Sequence, residues 1–287
     1  MTLLFNLTLY GYAAALLFAI INLFPRRQFL DWTVNALLTA ANVLQLVYIV
    51  WRWQEAGRPP FSNMFESLVL FAWATVLVYL VIRIRIHVPV LGAAAALMAI
   101  LTLAYASWKF APDIEPLVPA LRSNWLTFHV FTCFLGYAGF AISFVAAIAY
   151  LILTRQAGAS PEPPGATMER VPGRSLLAKP GASPEPRGAA METVMTQTVA
   201  FGFIFLTIGV ITGAVWANSA WGTYWSWDPK ETWSLITWFI YAAFLHCRYV
   251  RGWTGRRAAW ISIVGFVSVL FTYIGVNLLL SGLHSYA

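Results

Sequence analysis

Apolar residues run through this chain in long blocks separated by short polar breaks. Eight blocks stand out, at about 8–24, 33–51, 64–82, 89–106, 125–154, 194–217, 231–250 and 258–280. Each is near the roughly 20 residues that a helix needs to cross a hydrocarbon layer of about 30 Å. A membrane-spanning strand would instead alternate over about 10 residues, and runs such as "AISFVAAIAYLILT" do not alternate. The pattern predicts an all-α polytopic membrane protein with about eight transmembrane helices, forming one membrane domain over 1–287.

Three breaks differ from simple turns. Residues 155–193 are rich in Pro, Gly, Ala and charge and contain "GASPEP" twice, at 158–163 and 181–186. Such a stretch cannot bury enough apolar surface to order itself, so a flexible loop is expected there. Residues 107–124 hold three prolines and read as a connector, with Ser123 or Asn124 available to cap the following helix. Residues 218–230 are tryptophan-rich and end in Asp228-Pro229-Lys230-Glu231. Asp at the N-cap, Pro first and Glu third make a helix start, so capping is one role open to Asp228. Asn63 and Glu66 have the same spacing ahead of the third block.

Charge adds orientation. The chain is 60% hydrophobic and only 10% charged, against about 25% for a soluble domain. Of the eighteen Lys and Arg residues, thirteen fall in one set of loops (26–27, 83–85, 155–187 and 248–257) and five in the other. The basic-rich loops belong in the cytoplasm. Both termini and the loop 218–230 then lie on the outer face, and 155–193 is cytoplasmic. The net charge of +7 is mostly this topology signal, not a nucleic-acid footprint. The start "MTLLFNLTLYGYAAALLF" has no basic leader region, so the first block reads as a retained helix. Cys133 and Cys247 fall near opposite membrane faces and imply no disulfide framework.

Ionisable side chains in so apolar a chain are candidates for function. Of the four histidines, His129 sits about one turn into the fifth block and His284 just past the last. Both are on the outer side, as is the tryptophan-rich loop. Six of the fourteen tryptophans fall within 216–238, a concentration that a plain interfacial belt explains poorly. Two imidazoles and a wall of indoles suit a porphyrin, with Lys230 placed to meet a propionate. Ordinary interfacial histidines and an aromatic belt are the competing reading. His246 lies eighteen residues beyond Asp228, about 27 Å along a helix, and so belongs to the cytoplasmic side. His87 reads as an ordinary interfacial residue and Cys133 as a small buried hydrophobe. No glycine-rich phosphate loop, CxxC or HExxH occurs.

The stretch "WGTYWSWDPKETWSLITWFIYAAFLH" closely resembles the WWD region of the CcsA (ResC-like) proteins of System II cytochrome c biogenesis. "NMFESLVLFAWATVLVYL", "SNWLTFHV" and "GVNLLLSGLHSYA" resemble that family's early helix and its two external histidine regions. The resemblance covers most of the chain from about 60 onward, apart from 155–193. The loop composition favours a bacterial plasma membrane over a plastid thylakoid, and the resemblance implies a membrane protein that works with a CcsB (ResB-like) partner. Together the two would carry non-covalent haem b, its iron reduced, to the outer face. There they would act as a cytochrome c haem-lyase (holocytochrome c synthase), joining haem vinyls to the thiols of an apocytochrome c CxxCH. By motif position, His129 and His284 would be axial ligands of an external haem. Trp221, Gly222, Trp225, Trp227 and Asp228 would form the WWD haem-binding surface. His246 would ligate haem before export, with its partner histidine on the CcsB half that this chain lacks. Two rivals are a CcmC-like protein that delivers haem to a chaperone without attaching it, and a haem-free scaffold or transporter subunit.

Overall fold

The computed structural model describes residues 2–23, 27–114, 116–117, 119–157 and 187–280. Among them the chain is helical without strands. Eight long helices are α1 (Thr2–Ile21), α2 (Gln28–Ala56), α3 (Met64–Arg83), α4 (Pro89–Lys109), α5 (Asn124–Ala157), α6 (Arg187–Trp221), α7 (Pro229–Tyr249) and α8 (Gly255–Leu270). A 3₁₀ turn (Pro119–Leu121) precedes α5, and α8 runs through a π-helical turn (Phe271–Gly275) into the short α9 (Val276–Leu279). Seven of these segments are long and apolar enough to cross a membrane. The eighth, α7, has comparable length, but Lys230, Glu231, His246 and Arg248 dilute its apolar run. The expected helical membrane architecture is therefore present, with α7 its least apolar member.

The most buried span is α3 and the most peripheral α1. Central α5 lies along α6 and also packs on α3 and α8. The α5–α6 approach is close: a Cβ at Gly136 would stand 3.0 Å from the Gly202 carbonyl oxygen. Small residues at such crossings bring backbones together where the bilayer supplies no hydrophobic drive. At the centre, the Phe140 and Tyr241 rings stack at 3.5 Å, joining α5 to α7.

Helix α2 carries its polar side chains inward. Gln45 accepts from the Tyr12 hydroxyl at 2.6 Å and donates to the Val69 carbonyl at 3.0 Å. Asn42 donates to the Trp73 carbonyl at 3.0 Å, and Asn35 accepts from the Tyr79 hydroxyl at 3.0 Å. Hydrocarbon offers such groups no water, so they bond across helices and fasten α1, α2 and α3 together.

At the C-terminal end of α2 the buried Arg52 meets the buried Glu66 at 3.0 Å, and Arg58 reaches the same carboxylate at 3.1 Å. Arg52 also donates to the carbonyls of Pro112 and Asp113, at 2.6 and 3.0 Å. The connector after α4 is thereby tied to the start of α3. The sequence places Glu66 at a capping position, and Asn63 does cap its backbone N–H at 2.8 Å. The carboxylate itself serves the two guanidiniums and accepts from the Ser62 N–H at 3.0 Å.

Two boundaries differ from the hydropathy pattern. Helix α1 begins at Thr2 because Thr8 returns its hydroxyl to the Leu4 carbonyl, at 2.9 Å, and so costs the helix little. Helix α6 begins at Arg187, and α5 runs to Ala157, so both ends of the expected loop 155–193 are helical. Buried Met191 packs inward there, and Glu192 pairs with Arg248 at 3.2 Å and accepts from the Gly255 N–H at 2.7 Å. Those contacts carry the helix past the point where apolarity ends. Residues 158–186 lie outside the described residues.

Candidate functional site

Six pieces of chain converge at one end of the bundle: the start of α3, the first half of α5, the last turns of α6, the loop 222–228, the first turn of α7 and the end of α8 with α9. Between them lies a cavity of about 1100 Å³, counted with its open mouth, that is lined mainly by apolar and aromatic side chains. His129, Trp216, Tyr224, Trp225, Lys230 and Asn277 stand in its wall.

The His129 ring is the best-defined element. Its Nδ1 lies 2.7 Å from the Gly209 carbonyl oxygen. A carbonyl only accepts, so Nδ1 carries the ring proton of the neutral imidazole and Nε2 carries the lone pair. That is the arrangement in which a backbone oxygen fixes a metal-binding imidazole through its far nitrogen. The ring lies nearly parallel to Trp216, at 6.0 Å and 15°. The buried Trp216 in turn meets Trp221 edge-on at 4.8 Å. Gly213 leaves the space for this: a Cβ there would stand 2.6 Å from His129 Nδ1. One turn on, Cys133 is buried with its sulfur 3.7 Å from the same nitrogen, as expected of a packed small residue.

The loop from 222 to 228 is built by its own caps. Gly222 ends α6 at φ 79°, its N–H on the Asn218 carbonyl at 2.9 Å. Asp228 is the N-cap of α7, taking the Lys230 N–H at 2.9 Å, and Glu231 completes a capping box. Glu231 also accepts from the Ser226 N–H at 2.8 Å, which folds the loop back on the helix start. Trp227 holds φ 58° and is 69% exposed. A non-glycine residue in the left-handed region is strained, and Trp225 meets its ring edge-on at 5.8 Å.

Of the residues singled out from the sequence, His129 and Trp225 line the cavity. Trp221 supports Trp216 from behind, Gly222 and Asp228 shape the loop, and Trp227 projects outside the lining. The call on His284 lies outside the described residues. His246 is exposed on α7, an element packed on α6 and α8. His87 is elsewhere, at the α3–α4 turn, 3.4 Å from the Asp31 carboxylate.

Sequence reasoning did not single out Trp216, Tyr273 or Asn277. The π-helical turn presents Thr272 and Tyr273 to the cavity, and Tyr273 shares a 2.7 Å hydrogen bond with Ser67 of α3. Among the described residues no three His, Cys, Asp or Glu side chains converge on one point. The wall instead offers one oriented imidazole among flat aromatic surfaces.

A family model described as "Cytochrome C assembly protein" matches residues 61–284. "Cytochrome c biogenesis protein CcsA" of Synechococcus sp. (strain CC9902) is 41% identical over 263 residues, covering 88% of this chain and 86% of that protein. The protein of the same name from Prochlorococcus marinus (strain MIT 9313) is 40% identical over 269 residues, covering 88% and 83%. Among solved structures, "Cytochrome c Heme Lyase CcmF" superposes with a TM-score of 0.65 at 18% identity over 95% of this chain. The chain spans about half that structure's length, 46%, and at this identity the likeness concerns the fold alone.

Proposed function

From its membership of the cytochrome c assembly protein family, to which this chain belongs, we propose that it is the membrane subunit that receives haem and presents it for attachment to an apocytochrome c. The observation that carries the proposal is the cavity itself. It combines an imidazole whose proton is pinned on Nδ1, leaving Nε2 as the ligating nitrogen, with walls of Trp216, Tyr224 and Trp225. An apolar, aromatic wall with few polar groups suits a flat organic ligand better than a bare ion.

In this reading His129 and His284 would hold the haem iron, haem b would be bound without covalent bonds and with reduced iron, and the site would face outward. The outer surface of a bacterial plasma membrane is the location proposed. The substrate brings vinyl groups, which become thioethers with the two thiols of CxxCH. The chain's own part is to hold the iron axis, exclude water with its aromatic wall and present the macrocycle edge. Orientation and proximity then supply much of the rate. Exposed His246 supports a second, cytoplasmic-side ligand role completed by a CcsB-like partner, the complex acting as the haem-lyase.

The test is the reduced absorption spectrum of the chain purified in mild detergent, alone and with the co-expressed partner. Sharp low-spin haem bands are expected. A colourless protein in both preparations would sink the proposal.

Gly213 supplies a second, local prediction. The Cβ of Gly213→Ala meets the His129 ring at 2.6 Å, at Nδ1, and the ring must leave the Gly209 carbonyl. Loss of such a supporting bond typically costs about 10–100-fold in metal affinity. Haem titration of this variant against the unmodified chain checks it. Equal affinity in the two would show that the Gly209 contact does not matter.

A further inference from the structure

We propose that Lys230 binds a carboxylate of the bound tetrapyrrole and so fixes which edge of the macrocycle faces the α7–α9 wall. The inference rests on the haem reading given above. Axial imidazoles hold the iron but leave the ring free to turn about the axis they define. Aromatic walls do not resolve that rotation either, since their contact is apolar and undirected. Only a charged or hydrogen-bonding group in the wall can.

Among the described residues lining the cavity, Lys230 is the one Lys or Arg. It is partly buried, and its ammonium donates to the Asn277 side-chain oxygen at 2.9 Å. Asn277 is itself held by bonds to the Tyr273 carbonyl, at 2.9 Å, and the Met64 sulfur, at 3.1 Å. The acceptor is therefore fixed, and it is neutral. No described carboxylate comes within 4.0 Å of the ammonium to form an ion pair. Of the two acidic neighbours in sequence, Asp228 acts on the Lys230 charge only from beyond ion-pair distance while capping the Lys230 backbone N–H, and Glu231 takes the Ser226 and Asp228 N–H groups.

An ammonium has three donors, and a charge in an apolar cavity is costly unless paired. Asn277 satisfies one donor and none of the charge. A ligand carboxylate would meet both needs, and the flexible lysine stem lets the ammonium reach it. Haem carries its two propionates on one side and its vinyls on the other part of the ring. Seating a propionate at Lys230 turns the vinyl-bearing edge away from the Lys230–Asn277 wall. Thioether formation needs that edge, and not the propionate edge, to be the one presented to the thiols.

The test is equilibrium titration of the detergent-solubilised chain, with its partner, using haem and haem dimethyl ester, whose propionates are neutral. The unmodified chain should bind haem about tenfold or more tightly than the ester, as loss of one charge-assisted contact implies. Lys230→Met should lose the preference by weakening haem binding while leaving the ester unchanged, and Lys230→Arg should retain it. Equal binding of the two porphyrins by the unmodified chain overturns the inference, and that comparison needs no variant. A preference undiminished in Lys230→Met overturns it as well. Absence of any His129-dependent haem band would instead remove the haem reading on which it stands.

Discussion

If His129 holds the proposed haem, His129→Ala will lose its low-spin signal, with affinity falling by more than about tenfold. Loss of even a group that supports a metal ligand costs that much, and here the ligand itself goes. The expectation rests on the ring's setting. Nδ1 is committed to the Gly209 carbonyl at 2.7 Å, and the face of the ring lies along the buried Trp216. The imidazole is therefore pre-oriented, and little ordering cost remains when a ligand arrives. Truncation leaves a space shaped for imidazole, so added free imidazole should restore part of the low-spin spectrum in His129→Ala. His246→Ala should leave this signal in place, because His246 is exposed on α7 and outside the cavity lining. The reduced spectrum and a haem titration read all three proteins. Unchanged low-spin bands in His129→Ala, or their loss only in His246→Ala, would move the haem to the other side of the membrane.

Much of this site was legible in the chain, and the reason is physical. A bilayer demands about twenty apolar residues per helix, so the helices announce themselves. Short-range chemistry is equally readable: the Asn63 cap and the Asp228–Glu231 capping box form as their spacing indicates. His129 and Trp225, which the sequence singled out, both line the cavity. What could not be read is contact between distant helices. Trp216 was visible as one of six clustered tryptophans, but its place on the His129 ring depends on how α6 lies against α5. The π-helical turn that carries Tyr273 has no local sequence signature, and Asn277 acquires its role from Lys230, 47 positions earlier. Hydropathy also misjudged the ends of α5 and α6. It counts Glu192 as a reason for a helix to stop, whereas Arg248 and the Gly255 N–H give that carboxylate partners.

The same blindness hid the charges at the C-terminal end of α2, where Arg52 counts in the sequence as a loop cation. In the fold it is 2% exposed beside a Glu66 side chain that is 0% exposed, with Arg58 at 11%. One carboxylate thus serves two guanidiniums, and the Pro112 and Asp113 carbonyls help to stabilise the excess positive charge. Glu66→Leu removes the carboxylate that Arg52 and Arg58 share at low water access. Breaking a buried pair from one side typically costs about 3–5 kcal/mol, and the second guanidinium places this variant at the upper end. Arg52→Met should cost less, because Arg58 and the Ser62 N–H still satisfy Glu66. The double variant Arg52→Met, Glu66→Leu should be more stable than the sum of the single effects, since Arg52 is no longer there to miss the lost carboxylate. Unfolding in detergent, followed by tryptophan fluorescence, gives the order. A Glu66→Leu protein within about 1 kcal/mol of the parent, the range of an exposed pair, would mean that water reaches this cluster. The effect should also be felt in the cavity, because Ser62 and Asn63, four and three residues before Glu66, line its wall and take their positions from that carboxylate and the helix it begins.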